Sequence, residues 1–242
     1  MKPTDAQRRE LIGWAGGALA ALALAPGATL LQLRPAKAQR TASTGVRYGL
    51  LIDTDRCARG CDACVTACRD ENGLPAPTRA TDPQWIRRVE VTERNGRTHS
   101  LPVMCQHCAV APCVDVCPTG ASFRRADGIV LVDRHACIGC RYCVMACPYK
   151  ARSFVHEPVP DPRPDVPRGK GTAEGCTLCV HRVDRGREPA CVEACRAAGH
   201  DAMVFGDLDD PQSAIAQRVA KYASVQLRAD LRLDPAVRYQ GL

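Results

Sequence analysis

The sixteen cysteines of this 242-residue chain fall into four groups of four, and none lies outside these groups. The groups are Cys57-x3-Cys61-x2-Cys64-x3-Cys68, Cys105-x2-Cys108-x4-Cys113-x3-Cys117-Pro118, Cys137-x2-Cys140-x2-Cys143-x3-Cys147-Pro148 and Cys176-x2-Cys179-x11-Cys191-x3-Cys195. Aromatic residues make up only 4% of the chain, so large apolar side chains are too few to fill a conventional core. We therefore expect the fold to be built around whatever these thiols bind.

The third group has the spacing of the bacterial ferredoxin run, C-x2-C-x2-C-x3-C-P. In such a run a short loop wraps the first three thiolates around one 4Fe–4S cube. The next three residues begin a helical turn that directs the fourth thiolate toward a second cube. Because four thiolates hold one cube, the sixteen thiols predict four 4Fe–4S clusters.

Every group ends in Cys-x3-Cys, which predicts that its last cysteine serves a cluster held mainly by another group. The Cys-Pro endings pair groups two and three. Groups one and four pair with each other, although Arg69 and Arg196 stand where the proline would be. The predicted ligand sets are set A (Cys57, Cys61, Cys64, Cys195), set B (Cys68, Cys176, Cys179, Cys191), set C (Cys105, Cys108, Cys113, Cys147) and set D (Cys117, Cys137, Cys140, Cys143).

Three other interpretations of these cysteines stay open at this point. Structural zinc also uses C-x2-C pairs, and an exported chain could use the cysteines as a disulfide framework. One site could hold a three-iron cluster, and the extra residue between Cys57 and Cys61 draws attention to that loop. The Cys-x3-Cys-Pro endings and the complete complement of thiols favour four cubanes.

The segments between the cysteines predict short strands and helices. Asn95-Gly96 predicts a hairpin between residues 86–93 and 98–104, and a second hairpin is expected between residues 122–125 and 129–133. The segments RYGLLIDTDRC and GIVLVDRHAC repeat one unit of strand, turn, ligand loop and short helix. We therefore expect a loop-rich α+β fold of tandem bacterial ferredoxin-like units, arranged as two double-cluster modules.

The chain is predicted to divide into three parts. Residues 1–38 contain Arg8-Arg9, an uncharged stretch over 11–33 and the small-residue site Ala36-Lys37-Ala38, which together indicate a twin-arginine signal peptide. A retained membrane anchor is the alternative, because that stretch could span a bilayer. Residues 39–206 form the four-cluster domain with a proline-rich loop at 157–171. Residues 207–242 are expected to be a helical tail, with a helix at about 212–228.

The chain resembles the four-cluster ferredoxin-like iron–sulfur subunits of the polysulfide and DMSO reductase family. The resemblance rests on the four cysteine groups and covers about residues 46–206. The segment CRYCVMACPYKAR is common to that broad family. Other segments, among them RYGLLIDTDRC, PVMCQHC and PRGKGTAEGCTLCVHRVD, together with the twin-arginine leader, are most similar to the periplasmic iron–sulfur subunit of the membrane complex associated with dissimilatory sulfite reductase.

This resemblance implies a periplasmic electron-transfer subunit that is not itself an enzyme and takes part in dissimilatory sulfur metabolism. Its implied partners are a polytopic quinone-interacting membrane subunit, a multihaem cytochrome c and other iron–sulfur subunits, through which it would associate with the membrane. The alternative is an electron-transfer subunit of a periplasmic molybdopterin reductase or hydrogenase. A net charge of +7 without a basic stripe that alternates with aromatic residues argues against nucleic-acid binding.

Overall fold

The computed structural model describes residues 42–242, so the predicted signal peptide at 1–38 lies outside the described residues. The strands are β1 (Tyr48–Asp53), β2 (Ile86–Thr92), β3 (Thr98–Met104), β4 (Ser122–Arg124), β5 (Val130–Val132), β6 (Ser153–Phe154), β7 (Ala173–Glu174), β8 (Met203–Asp207) and β9 (Val237–Gln240). The helices are α1 (Ala63–Asn72), α2 (Pro112–Asp115), α3 (Tyr142–Ala146), α4 (Val180–Val183), α5 (Ala190–Ala197) and α6 (Ala214–Lys221), with a 3-10 turn at Ala229–Leu231. These short, mixed elements confirm the predicted α+β class.

The strands form one three-stranded sheet and three two-stranded ribbons. In the three-stranded sheet β1 is central, antiparallel to β8 and parallel to β9. The two predicted hairpins are present as β2–β3 and β4–β5. Gly96, with a φ of 87°, supplies the left-handed residue of the first hairpin turn.

Two strands lead directly into ligand loops, as the repeated sequence unit predicts. β1 precedes group one and α1, while β5 precedes group three and α3. Helix α1 ends at Gly73, whose φ of 63° lets its N–H reach the carbonyl of Arg69. The helices that carry Cys-x3-Cys pack in two pairs, α1 against α5 and α2 against α3.

The core mixes cysteines with aliphatic side chains of medium size. Leu50 and Ile52 from β1, Ile129 and Leu178 are buried among the thiols, and Trp85 is the largest fully buried side chain of residues 42–242. This composition follows from the small aromatic content, because sulfur atoms occupy positions that aromatic rings fill elsewhere. Within residues 42–242, no helix is long and apolar enough to cross a membrane.

The segment 207–242 differs from the expected helical tail. Its helix α6 is shorter than predicted and begins after Ser213, whose hydroxyl accepts from the N–H of Ala216 at 3.1 Å. The segment then returns to the sheet as β9, where Gly49 lets it approach β1. A Cβ at Gly49 would lie 2.5 Å from the carbonyl oxygen of Ala236. The sequence did not predict β9, because its partner β1 lies almost 190 residues earlier in the chain.

Candidate metal centres

The sixteen thiols line four separate cavities, and each cavity is lined by one predicted ligand set. Set A lines one cavity and set B a second. Set C lines a third and set D a fourth. The structure therefore brings together the first three cysteines of a ferredoxin-like run with the last cysteine of its paired group.

The Cys-x3-Cys segments explain why each helix serves two cavities. Residues four positions apart on a helix lie one turn apart, about 6 Å along the axis. On α1, Cys64 lines the cavity of set A and Cys68 that of set B. On α5 the order is reversed, with Cys191 in set B and Cys195 in set A. The packed pair α1–α5 thus joins these two cavities.

The same arrangement joins sets C and D. Cys113, on α2, lines the cavity of set C, and Cys117 just after that helix lines the cavity of set D. Cys143 on α3 belongs to set D, and Cys147 at its end belongs to set C. The pair α2–α3 therefore links the second two cavities.

Sets B and C are also neighbours. Met104 lines the cavity of set B, and the next residue, Cys105, lines that of set C. Burial raises the pKa of Cys176 in set B, and Cys105 is one of the neighbouring thiols whose charge raises it further. The four cavities are therefore linked in the order A, B, C, D.

The donor chemistry fits a positively charged metal cluster. All sixteen cysteines lie within residues 42–242, and none of them forms a disulfide bond. Burial, followed by the charges of neighbouring cysteines, raises the pKa of Cys64 to about 12. Burial and the thiols of Cys105 and Cys113 likewise raise the pKa of Cys108 to about 12. Such crowded thiolates require compensating cations, and the iron of a 4Fe–4S cube supplies this charge when the cluster is bound.

Backbone N–H groups point at the last cysteine of three groups. The Sγ of Cys117 accepts from the N–H of Ser122 at 3.3 Å, and that of Cys195 from Ala202 at 3.3 Å. The N–H of Ala151 donates to Cys147 Sγ at 3.4 Å. Hydrogen bonds to a ligand sulfur stabilise its negative charge.

Two side chains near the sulfur atoms were not predicted from the sequence. Asn72, 1% exposed, donates to the carbonyl of Cys68 at 2.8 Å and lies 3.6 Å from its Sγ. Arg152, 7% exposed, donates to Cys113 Sγ at 3.4 Å. For Asn72, a position one helical turn after a ligand was the available signal. For Arg152 no local signal existed, because its partner lies 39 residues away.

Two histidines near ligand cysteines form side-chain hydrogen bonds. His107 accepts from the N–H of Val130 at 3.0 Å, and burial followed by the charge of Arg152 lowers its pKa to about 3. His181 Nε2 lies 2.7 Å from a carboxylate oxygen of Glu71. His135 is exposed. The cavity of set A is lined by His200, which the sequence did not single out.

Comparisons with known proteins agree with this geometry. A family model described as a 4Fe-4S dicluster domain matches residues 97–208. The Hdr-like menaquinol oxidoreductase iron-sulfur subunit 1 of Archaeoglobus fulgidus is 42% identical over 225 residues, covering 81% of this chain and 84% of that protein. A tetrathionate reductase subunit of Salmonella typhimurium is 38% identical over 226 residues (90% and 84%). Protein NrfC of Escherichia coli is 40% identical over 200 residues (79% of each).

Four linked, thiol-lined cavities in a small α+β fold define a ferredoxin-like protein with several iron–sulfur clusters. More particularly, the chain belongs to the family of four-cluster ferredoxin-like electron-transfer subunits of oxidoreductase complexes. It binds four 4Fe–4S clusters and transfers electrons, and it is not the catalytic subunit. The predictions of the family, the cofactors and the non-catalytic role are confirmed.

Proposed function

We propose that each cavity holds one 4Fe–4S cluster through the four thiols of its set, A to D, and that the chain relays electrons between two redox partners. The observation that carries this proposal is the match between the four cavities and the four ligand sets. When bound, each cluster accepts and donates one electron at a time. The linked order of the cavities supports a path through the whole chain.

The tandem arrangement is part of the proposal. Sets A and B would form one double-cluster module, and sets C and D the other. In the module of sets A and B, β8 follows cysteine group four and pairs antiparallel with β1, which precedes group one. In the module of sets C and D, β4 follows group two and pairs antiparallel with β5, which precedes group three. Each module also contains one packed pair of Cys-x3-Cys helices. This equivalence supports two copies of a ferredoxin-like unit, one inserted within the other.

Burial indicates where partners would exchange electrons. All four cysteines of set B and all four of set C are buried, which keeps water from the two middle cavities. In set D, Cys140 is exposed and Cys117 and Cys137 are half-buried, while three cysteines of set A are half-buried. The two ends of the linked order are therefore the most accessible, and each would serve one partner.

The finer assignment concerns the partners and the location. We place the chain in the periplasm, exported by the twin-arginine signal at 1–38. Its partners would be a polytopic quinone-interacting membrane subunit, a multihaem cytochrome c and further iron–sulfur subunits, in dissimilatory sulfur metabolism. Similarity to an iron–sulfur subunit named for a menaquinol oxidoreductase supports the quinone partner. Similarity to subunits named for tetrathionate reductase and sulfite dehydrogenase supports the sulfur context.

A second candidate is the electron-transfer subunit of a periplasmic molybdopterin reductase or hydrogenase. The match to a subunit that is named for a reductase, tetrathionate reductase, covers 90% of this chain and favours the reductase form of this candidate. The two candidates differ in which protein accompanies the chain. Affinity purification of the tagged full-length chain from gently solubilised native membranes distinguishes them. A polytopic quinone-reactive subunit with a multihaem cytochrome supports the first, and a large molybdopterin subunit or hydrogenase supports the second.

The cluster assignment is tested by iron and acid-labile sulfide analysis of the anaerobically purified chain, with EPR spectra after reduction. We expect about sixteen of each per chain and interacting cubane signals. About fifteen irons and a three-iron signal in the oxidised protein would show one altered site. Zinc in place of iron, or oxidised thiols without metal, would overturn the proposal.

A further inference from the structure

Arg152 places a buried positive charge where two ligand sets meet. Its Nη2 donates to Cys113 Sγ of set C at 3.4 Å and to the hydroxyl of Ser122 at 3.0 Å. The backbone N–H of that same Ser122 donates to Cys117 Sγ of set D at 3.3 Å. The guanidinium therefore contacts one ligand sulfur of set C directly, and Ser122 connects it to a ligand sulfur of set D.

No carboxylate of residues 42–242 forms an ion pair with Arg152. The two other buried arginines are both paired, Arg168 with Glu174 at 2.9 Å and Arg182 with Glu71 at 2.8 Å. A buried charge is costly unless an opposite charge lies near it. Arg152 donates to one serine hydroxyl and one cysteine sulfur, and Arg134 is a further positive charge near it. The negative charges that act on Arg152 are those of the ligand sets.

The electrostatics agree with this position. Burial alone would lower the pKa of Arg152, but the thiolates of Cys113, Cys105 and Cys143 outweigh burial and raise it. Two of these thiolates belong to set C and one to set D. Because a guanidinium does not lose its proton in proteins, its charge is permanent. The same charge contributes to keeping His107 neutral.

We propose that Arg152 sets the reduction potential of the cluster bound by set C and, more weakly, that of set D. The inference rests on the proposed assignment of clusters to cavities. Reduction adds one electron, and therefore one negative charge, to a cluster; the electron comes from the redox partner. A fixed positive charge at hydrogen-bond distance from a ligand sulfur favours the more negative, reduced form, and a dry interior strengthens the attraction.

The test compares variants of the full-length chain, purified anaerobically with clusters in place, by potentiometric titration monitored by EPR. In Arg152→Gln one midpoint should become more negative by at least about 59 mV, which is a tenfold change in the equilibrium constant of a one-electron couple. Arg152→Lys keeps the charge, so most of the midpoint should be restored. The matched control is Arg124→Gln, which removes the same charge from an exposed position on the hairpin that contains Ser122.

A second variant leaves Arg152 in place and neutralises it. Ser122→Asp puts a carboxylate beside the guanidinium and should shift the same midpoint in the same negative direction. Full iron content with unchanged midpoints in Arg152→Gln and Ser122→Asp would overturn the proposal. Loss of iron from both variants would also overturn it, since Arg152 would then have a structural role.

The unmodified chain separates this result from the cluster assignment. If the unmodified chain holds fewer than four cubanes, the assignment of clusters to cavities fails before any variant is compared. If it holds four, and no midpoint depends on Arg152, only the role of Arg152 fails. A midpoint shift that occurs in Arg152→Gln and Ser122→Asp but not in Arg124→Gln supports both the cluster assignment and the role of Arg152.

Discussion

Cys117 and Cys64 have the same proposed ligand role in different surroundings. Burial acts to raise the pKa of Cys117, but N–H donors from Ser122 and its neighbours and the hydroxyl of Thr119 outweigh it and lower the pKa. Cys64 is held among other thiols, and burial followed by their charges raises its pKa to about 12. The loop of Cys117 stabilises the thiolate before any metal arrives, whereas Cys64 depends on the cluster for compensating charge.

Replacing a single ligand tests the membership of set D. Cys143 is buried on α3 and lines that cavity. In Cys143→Ser one iron loses its thiolate, so we expect iron to fall from about sixteen to about fifteen or twelve per chain, for a three-iron cluster or a lost cluster. Iron analysis and EPR of the oxidised protein measure this. Val144→Ala, on the same helix but outside the cavity, should retain full iron. Unchanged iron and reduced-state spectra in Cys143→Ser would contradict the assignment.

At the scale of elements, the cysteine-bearing helices are too short to be stable alone. Helices α2 and α3 contain four and five residues, which is far below the length at which an isolated helix persists in water. Their stability comes from packing against each other and from the ligands that they carry. We infer that cluster binding and formation of these helices are coupled, as in other small metal-binding folds.

Strand β9 contributes stability through Tyr239. This buried side chain donates from its hydroxyl to the carbonyl of Pro102 at 3.0 Å and lies 3.3 Å from Gln106 Nε2. Tyr239→Phe removes both contacts, while Gln106 Nε2 keeps its hydrogen bond to the carbonyl of Met104 at 2.9 Å. The loss should lower the free energy of unfolding by about 1 kcal/mol. Urea denaturation of the anaerobic holoprotein, followed by circular dichroism, measures the change. The control Tyr222→Phe, at an exposed tyrosine, should change the free energy of unfolding by less than about 0.5 kcal/mol. Equal changes in Tyr239→Phe and Tyr222→Phe would refute the stabilising role of β9.

The features that the sequence predicted are those with local signals. Cysteine spacing reports directly on ligand loops, and a turn such as Asn95-Gly96 identifies its hairpin because both strands are adjacent in sequence. Strand β9 is four residues long and depends on a distant partner, so its own alternation was too short to detect. Arg152 reads as an ordinary charged residue until the fold buries it against Cys113. Contacts of high sequence separation therefore account for most of what was missed.

At the scale of the whole molecule, accessibility changes along the linked order of sites. Sets B and C lie inside, and the half-buried or exposed thiols belong to the two terminal sets. A buried site is shielded from solvent and from oxidants, while a terminal site has to approach a partner closely enough for electron exchange. The distribution of burial thus suits a relay whose two ends face different proteins.

The end at set D has an exposed apolar surface that suits a partner. Ile138, Tyr142 and Met145 surround the exposed Cys140 in sequence and are 67%, 53% and 63% exposed. Tyr142 and Met145 lie one turn apart on α3, so they share a face. Apolar side chains at the centre of an interface commonly carry much of its binding energy.

A charge placed on this surface should therefore slow electron exchange with the partner at set D. In Met145→Glu we expect the rate of cluster reduction or reoxidation by the copurified partner proteins to fall at least about fivefold. Iron content and midpoints should stay unchanged, because Met145 lines none of the four cavities in residues 42–242. Tyr222→Glu adds the same charge at an exposed aromatic residue outside this surface and should leave the rate unchanged. Equal rates in Met145→Glu and the unmodified chain would show that partners use another surface.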